Sequence, residues 1–248
     1  MNISGNTILV TGGSSGIGRA LAEALHAKGN MVIVSGRRER LLDEVTAANP
    51  GMESMLLDIQ DRADIEAFAK QAVARFPALN VVVNNAGIMK PEKGIDLAIA
   101  EDTIATNLLG PIRLSAALLP HLLARPKASL VTVSSGLAFV PLAATPTYSA
   151  TKAAIHSWSM AMREQLRDSS VEVIEIAPPY VQTELLGPHQ ATDPDAMPLA
   201  EFIAEVIAIL EAAPASGEVI VERCKPLRFA EANGNFAQMF AALSARDH

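Results

Sequence analysis

Thr7-Ile8-Leu9-Val10-Thr11-Gly12-Gly13-Ser14-Ser15-Gly16-Ile17-Gly18 passes from a short β-branched run through a glycine turn into helical spacing. Ala20, Leu21, Ala24 and Leu25 then fall on one face of a helix over Ile17–Lys28. Glycines let a backbone turn tightly and approach an anion closely. A helix N-terminus offers that anion free N–H groups and a partial positive charge. Gly12, Ser14, Ser15, Gly16, Ile17 and Gly18 are therefore candidate pyrophosphate ligands. A nucleoside-triphosphate loop would need lysine after its last glycine; here Arg19 follows.

The same alternation continues outward. Short Val/Ile/Leu-rich runs recur at Met31–Ser35, Ser54–Leu57, Val81–Val83, Leu130–Val133, Val171–Ile176 and Glu218–Glu222. Most are continuously apolar, as strands buried on both faces of a parallel sheet are. Helical spacing fills the gaps at Arg38–Ala48, around Ile65–Phe76, over about Ala98–Leu123, and at Tyr148–Arg167 and Leu199–Ala212, with a weaker pattern in Arg228–Ala245. Pro111 and Pro120 should bend or break the Ala98–Leu123 segment. The order predicts a Rossmann-like α/β fold: a doubly wound, parallel, seven-stranded sheet flanked by helices on both faces. Residues 1–248 read as one domain, since no linker, repeat or low-complexity tract interrupts them. A proline- and glycine-containing loop over Leu185–Pro198 reads as a substrate lid.

Half of the 248 residues are hydrophobic and the net charge is −7, a balance that argues against a nucleic-acid surface. No apolar run is long enough for a membrane span and no secretory leader is evident, so a cytoplasmic protein is expected. Cys224 is the single cysteine and reads as a small apolar residue late in a strand. His189 reads as an exposed loop residue. No His/Cys/Asp group has metal-ligand spacing, so no metal is expected.

Where a second strand ends, an NAD site places a carboxylate against the ribose 2′-OH. Here Ser35-Gly36-Arg37-Arg38 carries no acid before Glu39. Guanidinium suits a 2′-phosphate, so NADP(H) is expected in preference to NAD(H), with Arg37 the favoured contact and Arg38 an even choice. Asn84-Asn85-Ala86-Gly87 follows the fourth strand on the edge where such a sheet holds its ligand, which points to Asn84, Ala86 and Gly87. Tyr148 and Lys152 lie four apart on one helix face. A nearby cation favours phenolate and would tune the phenol toward acid/base work. Ser135, thirteen residues before Tyr148, can bond a substrate oxygen beside it; Ser134 competes for that assignment.

Taken in order, these motifs resemble the short-chain dehydrogenase/reductase family, in its branch of about 250 residues, from Thr7 to about Thr183. The resemblance implies hydride transfer between the nicotinamide and a small carbonyl or alcohol, with Tyr148 as acid in reduction and base in oxidation. Lys152 would also hold the nicotinamide ribose, Ser135 would orient the carbonyl, and Asn107 would complete the tetrad through a water beside the lysine. Asp58 would bond the adenine amino group, Val181 and Thr183 would meet the carboxamide, and Ile59 and Pro178 would also belong to the cofactor site. Pro179 stands where relatives carry glycine, which implies a reshaped nicotinamide pocket. A weaker likeness runs to a bacterial subgroup associated with the D-alanyl lipoteichoic acid operon. Relatives pair through their two central helices, so a homodimer or homotetramer is expected. The alternative from another class is an NADP(H)-binding regulator with little turnover.

Overall fold

The computed structural model describes residues 1–214 and 216–245. Seven strands, β1 (Thr7–Thr11), β2 (Met31–Gly36), β3 (Glu53–Leu56), β4 (Leu79–Asn84), β5 (Ala128–Val133), β6 (Val171–Ala177) and β7 (Glu218–Ile220), form one sheet. Their order is β3-β2-β1-β4-β5-β6-β7 and every pairing is parallel. The helices are α1 (Gly16–Ala27), α2 (Glu39–Ala48), α3 (Arg62–Arg75), α4 (Leu97–Ile104), α5 (Gly110–Leu123), α6 (Pro146–Gln165), α7 (Leu199–Glu211), α8 (Lys225–Arg228) and α9 (Phe236–Ser244).

Strand alternation sorts the core into two layers. Ile8, Val10, Val32, Val34, Val81 and Val83 face one side, against Leu21 and Leu25 of α1, Leu42 and Val45 of α2, and Phe202 and Val206 of α7. Leu9, Ile33, Val82 and Leu130 face the other, against Ile65 and Phe68 of α3 and Leu114, Leu118 and Leu122 of α5. Both faces are covered, which is why the strands read as unbroken apolar runs.

Three expectations change. The break in Ala98–Leu123 lies at a π-helical turn, Ala105–Leu109, before Pro111. Pro111 is the second residue of α5, where its missing N–H costs nothing, and Pro120 sits inside α5 without ending it. The seventh strand stops at Ile220: it pairs only Glu218, Val219 and Ile220 with β6, so Val221 and Glu222 leave the ladder despite their apolar lead-in. Cys224 consequently lies in a short 3-10 turn, buried, rather than in a strand.

Leu118 is fully buried whereas Leu56 on the edge strand β3 is 52% exposed. Leu118→Ala should lower the unfolding free energy by about 2–5 kcal/mol and Leu56→Ala by about 0.5 kcal/mol or less. Urea denaturation with unchanged slope tests both; equal losses would contradict the two-layer packing.

Candidate active site

Strand order reverses between β1 and β4, and the crevice outside their carboxyl ends opens into a cavity of about 930 Å³. Gly12, Ser14, Ser15, Gly16, Ile17 and Gly18 line one end, with Arg37 and Arg38. Gly12 is left-handed (φ 66°), and a Cβ there would lie 2.9 Å from the Ala86 Cα; one on Gly18 would lie 2.2 Å from Asn85 Nδ2. Only glycine closes this turn so tightly on the β4 end. Ser15 is the N-cap of α1 yet spends no side-chain hydrogen bond on the first-turn amides. Its hydroxyl instead accepts from Arg38 at 2.7 Å, and the Ser14 hydroxyl accepts from the same nitrogen at 3.1 Å. An amide cradle capped by a pinned guanidinium suits a phosphorylated dinucleotide.

Ser135, Tyr148 and Lys152 converge at the other end, all buried. Pro146 starts α6, which sets Tyr148 and Lys152 one turn apart. The Ser135 hydroxyl hydrogen-bonds the phenol and accepts from Leu137 N–H at 3.1 Å. Ser134 turns away, toward the Ile176 carbonyl at 3.5 Å. Lys152 Nζ donates to the Val133 carbonyl at 2.8 Å and lies 5.5 Å from the Tyr148 ring centre.

Burial pushes the Tyr148 phenol up to about 12, partly offset by the Ser135 hydrogen bond. This reverses the direction expected from a neighbouring cation alone. The reason is desolvation, which disfavours phenolate and also lowers the Lys152 ammonium to about 8, against an upward pull from Glu175.

Asn107 sits in the π-helical turn, away from the cavity wall. Its Oδ1 accepts from Ile88 N–H at 2.9 Å, and its Nδ2 donates to the Ile88 carbonyl at 2.9 Å and to Thr151 Oγ1 at 3.3 Å. It clamps the loop after β4 to α6, beside the lysine. Ala86 and Gly87 line the cavity; Asn84 does not. Strand alternation sends Asn84 to the α5 side, where its Nδ2 donates to Ser115 Oγ at 3.0 Å. Asn85, missed from sequence, lines the cavity in its place. Ile59 is on the wall, but Asp58 is not: its Oδ1 turns back to accept from Gln60 N–H at 3.0 Å. Pro178, Pro179, Val181 and Thr183 all line the cavity, so Pro179 is part of the wall.

Other unforeseen residues support the site. Buried Gln190, within the expected lid, donates to the Val181 carbonyl at 2.7 Å and to Thr183 Oγ1 at 3.1 Å. His156, one turn beyond Lys152, places Nδ1 at 2.9 and 3.0 Å from the carboxylate oxygens of buried Glu175. Ligand atoms of His156, Glu175 and Glu218 lie within 4.8 Å of one another. Their charges are already engaged, since Arg228 pairs with Glu218 at 3.0 Å. His189 lies in a short 3-10 turn, exposed. No described helix is long and apolar enough to cross a membrane.

A Rossmann-like sheet with this crevice belongs to the doubly wound α/β class, which holds its ligands outside the carboxyl ends of its strands. The family model described as short chain dehydrogenase matches residues 6–194, and the chain belongs to that family. It is 49% identical over 189 residues to the uncharacterized oxidoreductase DltE of Bacillus subtilis (strain 168), across 75% of each chain. An uncharacterized oxidoreductase of Staphylococcus aureus (strain MRSA252) is 31% identical over 189 residues, across 75% of this chain and 82% of that one. Among solved structures, a short chain dehydrogenase from Burkholderia cenocepacia J2315 in complex with NADP superposes with TM-score 0.83 at 26% identity, covering 99% of this chain and 100% of that one. A short-chain dehydrogenase from Streptomyces avermitilis gives TM-score 0.82 at 28% identity, covering 95% of this chain and 96% of that one.

The depressed Lys152 value makes a linkage prediction. Between pH 8 and 10.5 the unfolded lysine holds its proton while the folded one releases it, so the stability penalty of burying the ammonium fades as pH rises. Lys152→Met should therefore be stabilised relative to wild type below pH 8, and that difference should shrink by about 3 kcal/mol toward pH 10.5. Denaturation of both proteins across this range tests it; a pH-independent difference would contradict a buried, depressed ammonium.

Proposed function

We propose that the chain is an NADP(H)-dependent oxidoreductase that interconverts a carbonyl and an alcohol, with Tyr148 as general acid/base. The observation that carries this reading is the meeting of Ser135, Tyr148 and Lys152 in one cavity with a glycine turn and Arg38. When bound, the cofactor supplies the hydride and, oxidised, a positive charge. Ser135 holds the substrate oxygen against Tyr148. In reduction the Tyr148 hydroxyl would give its proton to that oxygen, and in oxidation the phenolate would take it back. Burial keeps the phenol protonated at neutral pH, the form reduction uses. Lys152, lowered only to about 8, still carries charge there to stabilise the phenolate left behind.

The NADP(H) preference is supported by two features. No carboxylate lies at the end of β2, and a Cβ on Gly36 would meet only Ser14 Oγ, at 3.7 Å. Arg38 is held over the turn by two hydroxyls, and Arg37 lines the same cavity. Sequence favoured Arg37; the hydrogen bonds favour Arg38. Residues 185–198 serve in this reading as a substrate lid anchored by Gln190. Assembly into a homodimer or homotetramer is supported by the apolar side chains that α4 to α6 leave exposed, Ile104, Leu109 and Met160 among them. In sedimentation the enzyme should run at two or four times 26.2 kDa.

Tyr148→Phe should lower NADPH-dependent carbonyl reduction by about 100-fold or more with NADPH affinity nearly unchanged. Arg38→Ala should raise KM for NADPH by about 10- to 100-fold and barely affect NADH, with Arg37→Ala weaker. Tight NADPH binding without turnover on a broad carbonyl panel, and no effect of Tyr148→Phe, would favour a regulator instead.

A further inference from the structure

Besides Ser135 and Tyr148 the cavity is lined by apolar side chains from five separate stretches of chain, with Tyr180, Glu184 and Gln190 also on its wall. Met89 follows β4, Leu137 and Leu142 follow β5, Leu186 follows β6, Leu227 is on α8 and Leu243 is on α9. Met89, Leu142 and Tyr148 form a buried cluster, with Leu137, Leu186 and Leu243 packed against it.

The charges along the cavity are equally telling. Its ionisable Lys, Arg, Asp and Glu residues are Arg37, Arg38, Lys90, Lys152 and Glu184. The two arginines flank the glycine turn at the other end. Lys152 is bound to the Val133 carbonyl, and Lys90 directs its ammonium to Asp102 on α4 at 3.3 Å. Glu184 is an anion and repels anions. A substrate carboxylate or phosphate would find no dedicated cation here, and desolvating it against leucines would be costly.

The α9 helix contributes Leu243 to this wall. Phe236 and Phe240 stack with centroids 6.2 Å apart, and Leu243 follows one turn later on the same face. Phe240 lines a neighbouring apolar groove with Pro141, Leu142, Pro146 and Ala150, while Leu243 reaches the catalytic cavity. No α9 residue is fully buried, so the helix is a cover laid on a finished core.

We propose that this enzyme takes uncharged, apolar carbonyl compounds with a medium-length alkyl or aryl tail, and that α9, through Leu243, is the specificity wall for that tail. The proposal rests on the reductase reading above. The probe is a series of straight-chain methyl ketones from butanone to decanone, with 4-oxopentanoate as the charged comparison and NADPH as reductant. With wild type, kcat/KM should rise by about fourfold per methylene over the first several carbons, and 4-oxopentanoate should be poorer than pentanone by about 100-fold or more. Leu243→Lys should cut the octanone-to-butanone preference by about tenfold and improve the relative rate on 4-oxopentanoate. Phe240→Ala, which only loosens the seat of α9, should give a smaller loss in the same direction. Turnover of ketones without length preference, or preference for 4-oxopentanoate, would overturn this inference and leave the reductase reading standing. NADPH binding, read by fluorescence, without turnover of any carbonyl would overturn both.

Discussion

The ends of β1 and β4 are tied by one short set of hydrogen bonds. Asn85 Nδ2 donates to the Thr11 carbonyl at 2.9 Å, and Thr11 Oγ1 accepts from the N–H groups of Asn85 and Ala86 at 3.0 and 3.1 Å. This knot sits where the strand order reverses, the place where a doubly wound sheet opens a crevice. On one side of it the chain enters the glycine turn; on the other it reaches Gly87 and Ile88, and through Ile88 the Asn107 clamp. A shift of β4 against β1 would move the phosphate cradle and the catalytic loop together. The sheet thus transmits one geometry to both halves of the site, through the Thr11 and Asn85 side chains and the backbone groups they meet.

The helix α6 imposes the second constraint. It begins at Pro146, and its first amides are met by a distant acid: Glu92 Oε1 accepts from Thr147 N–H at 3.0 Å and Oε2 from Thr147 Oγ1 at 2.8 Å. The rise of one turn then fixes Tyr148, Lys152 and His156 in a row. Thr151, between them, joins Asn107. Burying that row has opposite effects on its members. Water exclusion raises the phenol and lowers the ammonium, while Glu175, buried behind them and paired to His156, holds positive charge nearby. Burial thus pushes both groups toward their neutral forms, the phenol and the amine.

How much of this was legible in the sequence follows from what each signal depends on. Strand positions were readable because both sheet faces are buried, so apolarity alone marks them. The same rule misled at the sheet edge, where Val221 stays buried after pairing with β6 has ended. Local motifs located the turn, Ser135, Tyr148 and Lys152. They could not tell Asn84 from Asn85, which differ only in the strand face they occupy, or say which arginine bonds the turn, which depends on where the Ser14 and Ser15 hydroxyls lie in space. Proline marked a break before α5 but not the π-helical turn, whose hydrogen-bond shift has no residue signature. The direction of the Tyr148 shift needs burial, which a motif does not carry. His156 and Glu175 are far apart in sequence and meet only through packing.

The site also divides along the chain. The phosphate turn, Arg38, Ser135, Tyr148 and Lys152 all fall inside the 6–194 match to the family, whereas Leu227 and Leu243 lie beyond it. Chemistry that must be geometrically strict is carried by strand ends and by one long helix, where backbone hydrogen bonding leaves little freedom. The proposed substrate wall instead draws on two short helices after the last strand, with Leu243 of α9 in the Leu137, Leu142 and Leu186 cluster. Such contact is non-directional and roughly proportional to area, so it constrains geometry less strictly than the hydrogen-bonded frame, even where Leu243 packs against the cluster that holds Tyr148. In the proposed reading, a phenol fixed on α6 and an apolar surface laid over it are held by different forces. That separation is what lets the identity of the reaction and the identity of the substrate be read from different parts of the same molecule.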